Sequence, residues 1–329
     1  RQWNQQFVVS KGKESYIRTT NDSNQIVVLS EAQSYGMLIT VEAAKKGQAY
    51  QEDFDRLYQY YLKHRLGDTQ LMSWKQTISD EKVAAEDHNA TDGDLYIAYS
   101  LLEASHQWPK QAKKYQAQAK AILGDILKYN YNEETGVLTV GNWANGDSDF
   151  YHLMRTSDTL PAQFQVFYEV TQDPKWLDIK EKMLKQLDTI SSQSNTGLLP
   201  DFIWVEEQGT RVADPNTIES KYDGSYSYNA CRLPYNLVQS KDPVSQKMVK
   251  KMLGFFNDQR NLYAGYDLKG KALNNHQAAS FLAPIIFASE REKSYLKLVQ
   301  QNKYIFTQDL PLNNYYDATM TTMIALELF

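Results

Sequence analysis

LSEAQSYGM, residues Leu29–Met37, places an acidic side chain at the start of a helix. Ser30 is predicted to be the N-cap, because a serine oxygen at that position accepts a hydrogen bond from a free backbone N–H group. Apolar residues then recur at helical spacing as far as Ala44, which predicts a buried helix face. An acid in a first turn often only complements the helix dipole. The segment alone therefore leaves Glu31 open between a structural and a chemical role.

A second helix start of the same kind lies at Asn89–Leu102, with the sequence NATDGDLYIAYSLL. A capping residue and two carboxylates, Asp92 and Asp94, again precede a body of apolar and aromatic side chains. Two helix starts that both present carboxylates predict one shared acidic site.

These two segments resemble glycoside hydrolase family 8, a family of inverting, endo-acting enzymes that cleave β-linked polysaccharides. The resemblance extends through most of the chain. Its further segments are Leu71–Trp74 (LMSW), Arg155–Asp158 (RTSD), Thr196–Asp201 (TGLLPD), Tyr228–Pro234 (YNACRLP) and Asn314–Asp317 (NYYD). The resemblance implies a hydrolase that works on a polysaccharide or oligosaccharide partner without a metal ion or an organic cofactor.

The composition of the 329 residues is ordinary for a globular protein, apart from 23 Tyr, 12 Phe and 6 Trp. Aromatic rings fill helical cores, and they also stack on the apolar faces of sugars. A net charge of −5 argues against a nucleic-acid partner. Cys231 is the one cysteine, so no disulfide forms within the chain. No apolar run is long enough to span a membrane. We expect an extracellular or cell-surface monomer whose leader has been removed before Arg1.

Helical segments alternate in character along the chain. Segments that are apolar all round begin near Ser30, Thr91, Ser157, Ser227, Asn274 and Asn314. Amphipathic segments follow at Gln51–His64, Pro109–Tyr129, Pro174–Ser192, Pro243–Asn257 and Glu290–Lys303. This alternation predicts an all-α fold, an (α/α)6 barrel in a single domain over residues 1–329, with Arg1–Val9 supplying the sixth outer helix. The apolar helices would begin at one open end, beside the long loops 66–88, 130–156 and 197–227, and long loops often carry function.

Inverting hydrolysis needs a protonated carboxyl group and an ionised one, about 6.5–9.5 Å apart. The resemblance makes Glu31 the general acid, with Gln33 and Tyr35 orienting it or contacting sugar hydroxyls. It makes Asp92 the aspartate that grips and distorts the sugar at the point of cleavage. Asp94, two residues on, is predicted to be structural.

The base is where this sequence is unusual. The best-known branch of the family has an aspartate in the motif Y-D-A-x-R, but here Asn229 stands at that position, and an amide cannot take a proton from water. The chain is then a disabled Asp-to-Asn variant, a glycan-binding pseudoenzyme, or a member of a branch in which an upstream loop glutamate is the base. Glu219 is the predicted base on the third explanation, and Asp223 is the fallback. That branch contains chitosanases and mixed-linkage β-glucan hydrolases.

A wider set of residues is predicted to contact the substrate or line the cleft, with core packing as the alternative for each aromatic member. The set comprises Gln33, Tyr35, Trp74, Arg155, Asp158, Asp223, Tyr228, Asn229, Arg232, Tyr315 and Tyr316. Arg155 and Asp158 are expected to pair at a helix start. A cellulose-type or mixed-linkage glucan is the first choice of substrate, chitosan the second, and a bacterial exopolysaccharide a further one.

Overall fold

Twelve helices and eight short strands form the chain in the computed structural model, which describes every residue from Arg1 to Phe329. The helices are α1 (Gln2–Phe7), α2 (Ser30–Lys45), α3 (Gln51–Lys63), α4 (Thr91–Gln107), α5 (Ala112–Tyr129), α6 (Pro161–Thr171), α7 (Lys175–Ser191), α8 (Leu233–Val238), α9 (Pro243–Asn257), α10 (Ala279–Glu292), α11 (Leu296–Asn302) and α12 (Tyr315–Leu328). The strands are β1 (Val8–Lys11), β2 (Glu14–Ile17), β3 (Ile26–Leu29), β4 (Lys75–Ser79), β5 (Lys82–Ala85), β6 (Leu153–Arg155), β7 (Phe202–Glu206) and β8 (Gly209–Val212).

The helices alternate in burial as the sequence predicts. Helices α2, α4, α8 and α10 are buried along most of their length, whereas α6, in the segment predicted to be apolar all round, buries fewer than half of its residues. The helices α3, α5, α7 and α9 bury one face and expose the other. In α7, for example, Trp176, Ile179 and Met183 are buried at helical spacing, while Lys180 and Glu181 face away from that core. Hydrophobic periodicity is therefore sufficient to place these helices.

Several helix starts differ from the prediction by three to six residues, and at two other boundaries the structure shows the local cause. The segment predicted as Glu290–Lys303 is divided, because Lys293 and Tyr295 both adopt left-handed backbone with φ of +54°, which ends α10 and delays the start of α11. Ser30 is not the N-cap but the first residue of α2, and its backbone N–H donates to the carbonyl oxygen of Trp74 at 2.9 Å. The helix start is thus fixed by a neighbouring loop rather than by the serine side chain.

The strands were absent from the sequence prediction. They form a β1–β2 hairpin and two antiparallel three-stranded sheets, ordered β3–β4–β5 and β6–β7–β8. The two sheets occupy much of the long loops that the sequence identifies. With three to five residues each, these strands show too few alternating positions to stand out from the helical pattern.

The chain divides into two compact units. Unit 1 comprises Arg1–Tyr131, Val140–Ser148 and Leu310–Phe329. Unit 2 comprises Asn132–Thr139 and Asp149–Asp309. Both are discontinuous in sequence, so no single cut separates them, and the single domain stays a prediction.

None of the helices is long and apolar enough to cross a lipid bilayer.

Each unit has its own core. In unit 1 the two ends of the chain meet, since the indole Nε1 of Trp3 donates to Thr319 Oγ1 at 2.9 Å. This contact brings the predicted N-terminal helix against α12. In unit 2 the Trp176 ring packs against Phe164 and Phe167, with ring centroids 5.8 and 5.1 Å apart.

Candidate active site

Glu31 and Asp92 lie in the first turns of α2 and α4, and Gly93 allows these two helix starts to touch. A Cβ atom on Gly93 would lie 2.3 Å from Ser30 Oγ and 2.9 Å from the Ser30 carbonyl carbon, so no larger residue fits. Glu31 is half-buried, whereas Asp92 is buried and accepts a hydrogen bond from the Gly93 N–H at 2.9 Å. The two helix starts predicted to share a site therefore meet in unit 1.

Replacing Gly93 by alanine should disturb this contact. The added methyl would overlap Ser30, and relief requires α2 and α4 to separate at the point where they carry Glu31 and Asp92. We expect a loss of about 1–3 kcal/mol in the free energy of unfolding, measured by urea denaturation. Gly124→Ala is the matched control, since this exposed helical glycine has open space around it and alanine there should stabilise slightly. An equal effect of both substitutions would contradict the close-contact role of Gly93.

Asp94 is a buried residue that connects backbone segments in the interior of unit 1. Its side chain is fully buried, Oδ1 accepts from the Met72 N–H at 2.9 Å, and Oδ2 accepts from Asn89 Nδ2 at 2.8 Å. Burial raises the pKa of this carboxyl to about 7. Asn89 in turn exchanges amide hydrogen bonds with Asn130 and accepts from the Asn142 N–H. Asp94 thus holds together the loops that flank α4, in line with the structural role predicted for it.

Three aromatic rings form a row in unit 1. The Trp74 and His88 ring centroids lie 5.8 Å apart, and those of His88 and Trp143 lie 6.4 Å apart. All three side chains are half-buried, which leaves part of each ring accessible. Because Trp74 accepts the Ser30 N–H, the row adjoins the start of α2. The sequence analysis does not single out Trp143 or His88; a tryptophan within the long loop 130–156 is the signal that could have identified Trp143.

Gln33 and Tyr35 do not reach a surface in this structure. Both are 0% exposed. The Gln33 amide accepts from the Ile17 N–H and donates to the carbonyl oxygens of Ser15 and Leu57, so it joins β2 to α3. The Tyr35 ring packs 5.2 Å from that of Tyr96. The geometry corrects their predicted role as sugar contacts, because the residues after Glu31 turn into the helical core.

Of the two tyrosines that begin α12, Tyr315 is largely a packing residue. It is 9% exposed, and its ring lies 6.0 Å from Phe7 in an edge-on arrangement. Tyr316 is half-buried and retains accessible surface. Tyr316 is therefore the better candidate for a sugar contact in this pair.

In unit 2, Glu219 is held by two donors. Its Oε1 accepts from Arg155 Nη1 at 2.7 Å and its Oε2 accepts from Asn229 Nδ2 at 2.9 Å. Arg155, at the end of β6, lies with its guanidinium 4.8 Å from the Phe202 ring centroid and also donates to Asn229 Oδ1. The Glu219 side chain is 42% exposed and so stays open to water. Donors on both oxygens fix the orientation of this carboxylate and favour its ionised form, which is the form that a base needs.

The orientation of the Asn229 amide is set by charge on both sides. Its oxygen accepts from the guanidinium groups of Arg155 and Arg232, and its nitrogen donates to the carboxylates of Glu219 and Asp201. Arg232 is 3% exposed and is itself held by Ser157 Oγ at 2.8 Å. A side-chain amide presents an acceptor on one side and a donor on the other. Asn229 therefore matches its surroundings.

The carboxylate of Asp201 holds the backbone segment that carries Asn229. Its Oδ1 accepts from the backbone N–H groups of Ser227, Asn229 and Ala230 at 3.1, 3.2 and 2.7 Å. Burial raises the pKa of this carboxyl to about 7, and the same hydrogen bonds oppose the rise. The sequence pointed to the segment TGLLPD without giving Asp201 a task.

Asp223 anchors the loop that carries Glu219. It is 1% exposed, and its carboxylate accepts from the backbone N–H groups of Ile218, Glu219 and Ser220 at 2.7, 3.0 and 3.0 Å. Three backbone donors leave this carboxylate little capacity for a water molecule. The geometry favours Glu219 over Asp223 as the base.

The remaining predicted residues of unit 2 divide by exposure. Tyr228 is 45% exposed, and its ring stands edge-on to Phe281 at 5.0 Å, so one face is available for stacking. Asp158 is 1% exposed, with Oδ1 4.0 Å from Arg155 Nε, which is the predicted pairing.

No cluster of three or more His, Cys, Asp and Glu side chains is arranged to hold a metal ion.

Known proteins resemble this chain along nearly all of its length. The model of glycosyl hydrolases family 8 matches residues 1–327. A beta-glucanase of Niallia circulans is 32% identical over 292 residues, which cover 83% of this chain and 71% of the relative. An endoglucanase of Bacillus sp. strain KSM-330 is 30% identical over 275 residues, which cover 79% of this chain and 58% of the relative. The chain thus spans about three fifths to seven tenths of the length of these relatives.

A solved structure of another glucanase matches the fold of this chain. The apo structure of a β-1,3-1,4-glucanase from Paenibacillus sp. X4 superposes with a TM-score of 0.84 at 28% identity, covering 98% of this chain and 88% of the other. The match confirms the predicted fold class, the all-α (α/α)6 barrel.

Proposed function

Because the chain belongs to glycoside hydrolase family 8, we propose that it is an inverting endo-β-1,4-glycanase whose substrate is a cellulose-type or mixed-linkage β-glucan. The observation that carries the proposal is the Glu219 carboxylate, which is exposed to water and held by Arg155 and Asn229. Glu219 would supply the carboxylate that the best-known branch of the family has as an aspartate at the position of Asn229. The relatives named beta-glucanase and endoglucanase support a glucan ahead of chitosan.

Glu31 is the proposed general acid. As the bond between the anomeric carbon and the glycosidic oxygen breaks, Glu31 gives its proton to the departing oxygen. Asp92 grips the sugar at this bond, and the close approach of the adjacent Gly93 to Ser30 brings the start of α4, which carries Asp92, to the start of α2, which carries Glu31. The row Trp74–His88–Trp143 and the exposed ring of Tyr228 offer faces on which sugar rings stack.

Glu219 is the proposed base. It takes a proton from the water that attacks the anomeric carbon on the face opposite the leaving oxygen, which inverts the configuration. Arg155 and Asn229 keep the carboxylate in one orientation, and Asp223 holds the loop beneath it.

Three explanations of Asn229 are open from sequence alone, and the contacts of unit 2 support the one with a loop glutamate. An aspartate at this position would put a carboxylate oxygen where the amide nitrogen now lies, 2.9 Å from Glu219 and 3.4 Å from Asp201. Like charges at such distances repel each other. The contacts of Asn229 therefore fit an asparagine and support the explanation with a loop glutamate.

Asp223→Asn should lower the turnover number without abolishing it. The amide nitrogen of the variant would face backbone N–H donors, so the loop loses an anchor and Glu219 shifts. Misplacing a reacting group by about 1 Å costs up to 10²-fold in rate. Asp214→Asn, an exposed aspartate of the same loop, is the control and should retain full activity. Complete loss in Asp223→Asn, with activity kept in Glu219→Gln, would make Asp223 the base.

The activity is tested with a panel of polymers. Mixed-linkage β-glucan, hydroxyethylcellulose, xylan, chitosan and a bacterial exopolysaccharide are incubated with the protein, and reducing ends and viscosity are followed together. We expect the glucans to lose viscosity early, since an endo-acting enzyme cuts within the chain. Release from chitosan alone would identify a chitosanase, and binding of a polymer without any release would identify a pseudoenzyme.

We also propose that the protein acts outside the cell, because its polymeric substrate is too large to enter, and that it acts as a monomer. Cell fractionation and light scattering coupled to size exclusion test both points. An intracellular location or a stable dimer would contradict them.

A further inference from the structure

A recess of about 260 Å³ in unit 2 is lined mainly by neutral amide side chains. It lies between the loop that follows α9, the residues before α10, and the end of α11. The amides are Gln259, Asn261, Gln277, Gln301 and Asn302, and the exposed Arg260 adds one charged side chain to the lining. Amides donate and accept hydrogen bonds without net charge, as sugar hydroxyls do.

Several of these amides keep hydrogen-bonding capacity. Gln259 Nε2 donates to the Phe255 carbonyl oxygen, and Asn302 Nδ2 donates to that of Leu298, but their amide oxygens have no partner in the protein. Gln277 accepts through Oε1 and keeps its amide nitrogen available. Two acceptors and a donor are thus presented around one small space, where polar ligand groups can satisfy them.

The recess has apolar surfaces as well. Leu262 and Leu298 are 4% and 1% exposed and form its floor. At its edge Tyr304 is 41% exposed, and its hydroxyl donates to Gln277 Oε1 at 2.7 Å, so the ring is held in place. An apolar floor, a fixed aromatic face and unpaired amides suit the two kinds of surface that a sugar ring presents.

Other recesses lack this composition. One around Glu14 and Arg56 in unit 1 is lined mostly by charged side chains, which favour ions or charged ligands. The amide recess also lies at the same end of α10 as Tyr228, because Tyr228 stands on Phe281 in the first turn of that helix and Gln277 immediately precedes it. A polysaccharide that passes over Tyr228 can therefore continue towards Tyr304.

We propose that this recess is an additional glycan-binding site for a neutral β-linked polysaccharide, with Tyr304 as its stacking face. The proposal rests on the proposed function, since its ligand is a distant part of the same polymer chain. It binds one sugar ring of a long substrate and contributes little to short oligosaccharides that end before it.

Binding is measured by affinity electrophoresis in gels that contain soluble mixed-linkage β-glucan, in a Glu31→Gln background so that the polymer stays intact. Tyr304→Ala should weaken binding by about two- to tenfold, the size of one lost aromatic contact. Tyr304→Phe should bind nearly as the parent does, since it keeps the ring. Tyr295→Ala is the matched control, because Tyr295 is 40% exposed at the other end of α11 and does not line the recess.

A second measurement uses the active enzyme. The ratio of kcat/KM on the long β-glucan to kcat/KM on cellotetraose should fall by the same factor in Tyr304→Ala and should not change in Tyr295→Ala. Equal retardation and equal ratios for Tyr304→Ala and its parent would overturn the glycan-binding site. A parent that neither binds nor cleaves any β-glucan would instead overturn the proposed function, so the two failures are distinguishable.

Discussion

Glu31→Gln is expected to reduce the rate of glucan hydrolysis by about 10²–10⁴-fold, the range that a general acid contributes. Glutamine has nearly the shape of glutamic acid but carries no proton that it can transfer to the leaving oxygen. Glu31 is half-buried at the start of α2, and the substitution removes no packing. Binding of the polymer and the melting temperature should therefore change little, while the rate of reducing-sugar release falls.

The matched control for this substitution lies on the same helix. Glu42 pairs with Lys45 at 2.7 Å near the surface, and such pairs contribute only about 0–1 kcal/mol. Glu42→Gln should retain full activity. If Glu31→Gln keeps more than a tenth of the wild-type kcat/KM, Glu31 is not the acid.

Glu219→Gln is expected to silence the enzyme to a similar degree. The glutamine amide cannot take a proton from water. In either orientation of the amide, its NH₂ group would face a donor, which is Arg155 Nη1 in one orientation and Asn229 Nδ2 in the other. We expect kcat to fall far more than KM rises, because the group acts on the water in the transition state rather than on the bound sugar. Initial rates over a range of β-glucan concentrations separate the two constants.

Asn229→Asp provides the opposite test at the neighbouring position. The new carboxylate would face Glu219 and Asp201 across hydrogen-bonding distances, so we expect lower stability and no gain in activity. A protein that is inactive as found and becomes active on Asn229→Asp would place the base at position 229. It would also identify the natural chain as a disabled enzyme.

The sequence predicts those features that depend on local pattern. Helices such as α9, Pro243–Asn257, follow from apolar spacing and a proline in the first turn, and the structure has the same bounds. The prediction that Glu31 and Asp92 share a site comes from two similar helix starts, and the structure brings those two helix starts together. What the pattern does not reveal is the reason that they touch, which is the space left by Gly93.

Contacts between distant segments lie beyond such reasoning. Gln33 follows the acid in a motif that suggests sugar binding, yet its amide joins two backbone segments in the interior. The partners of Asn229 come from β6, from the end of the TGLLPD segment and from a loop ten residues upstream. Only three-dimensional placement shows that Asp223 holds a loop while Glu219 faces water.

The central claim is that Glu219 activates water on the face opposite the leaving group. It is tested most directly by Glu219→Ala in the presence of sodium azide. Removing the carboxylate leaves Arg155 and Asn229 as donors beside an open space, where the azide anion can attack without a base while Glu31 still protonates the leaving oxygen. We predict that activity recovers with azide concentration and that proton NMR shows an α-configured glycosyl azide. No recovery in Glu219→Ala, or a β-configured product, would contradict the assignment of Glu219 as the base of an inverting enzyme.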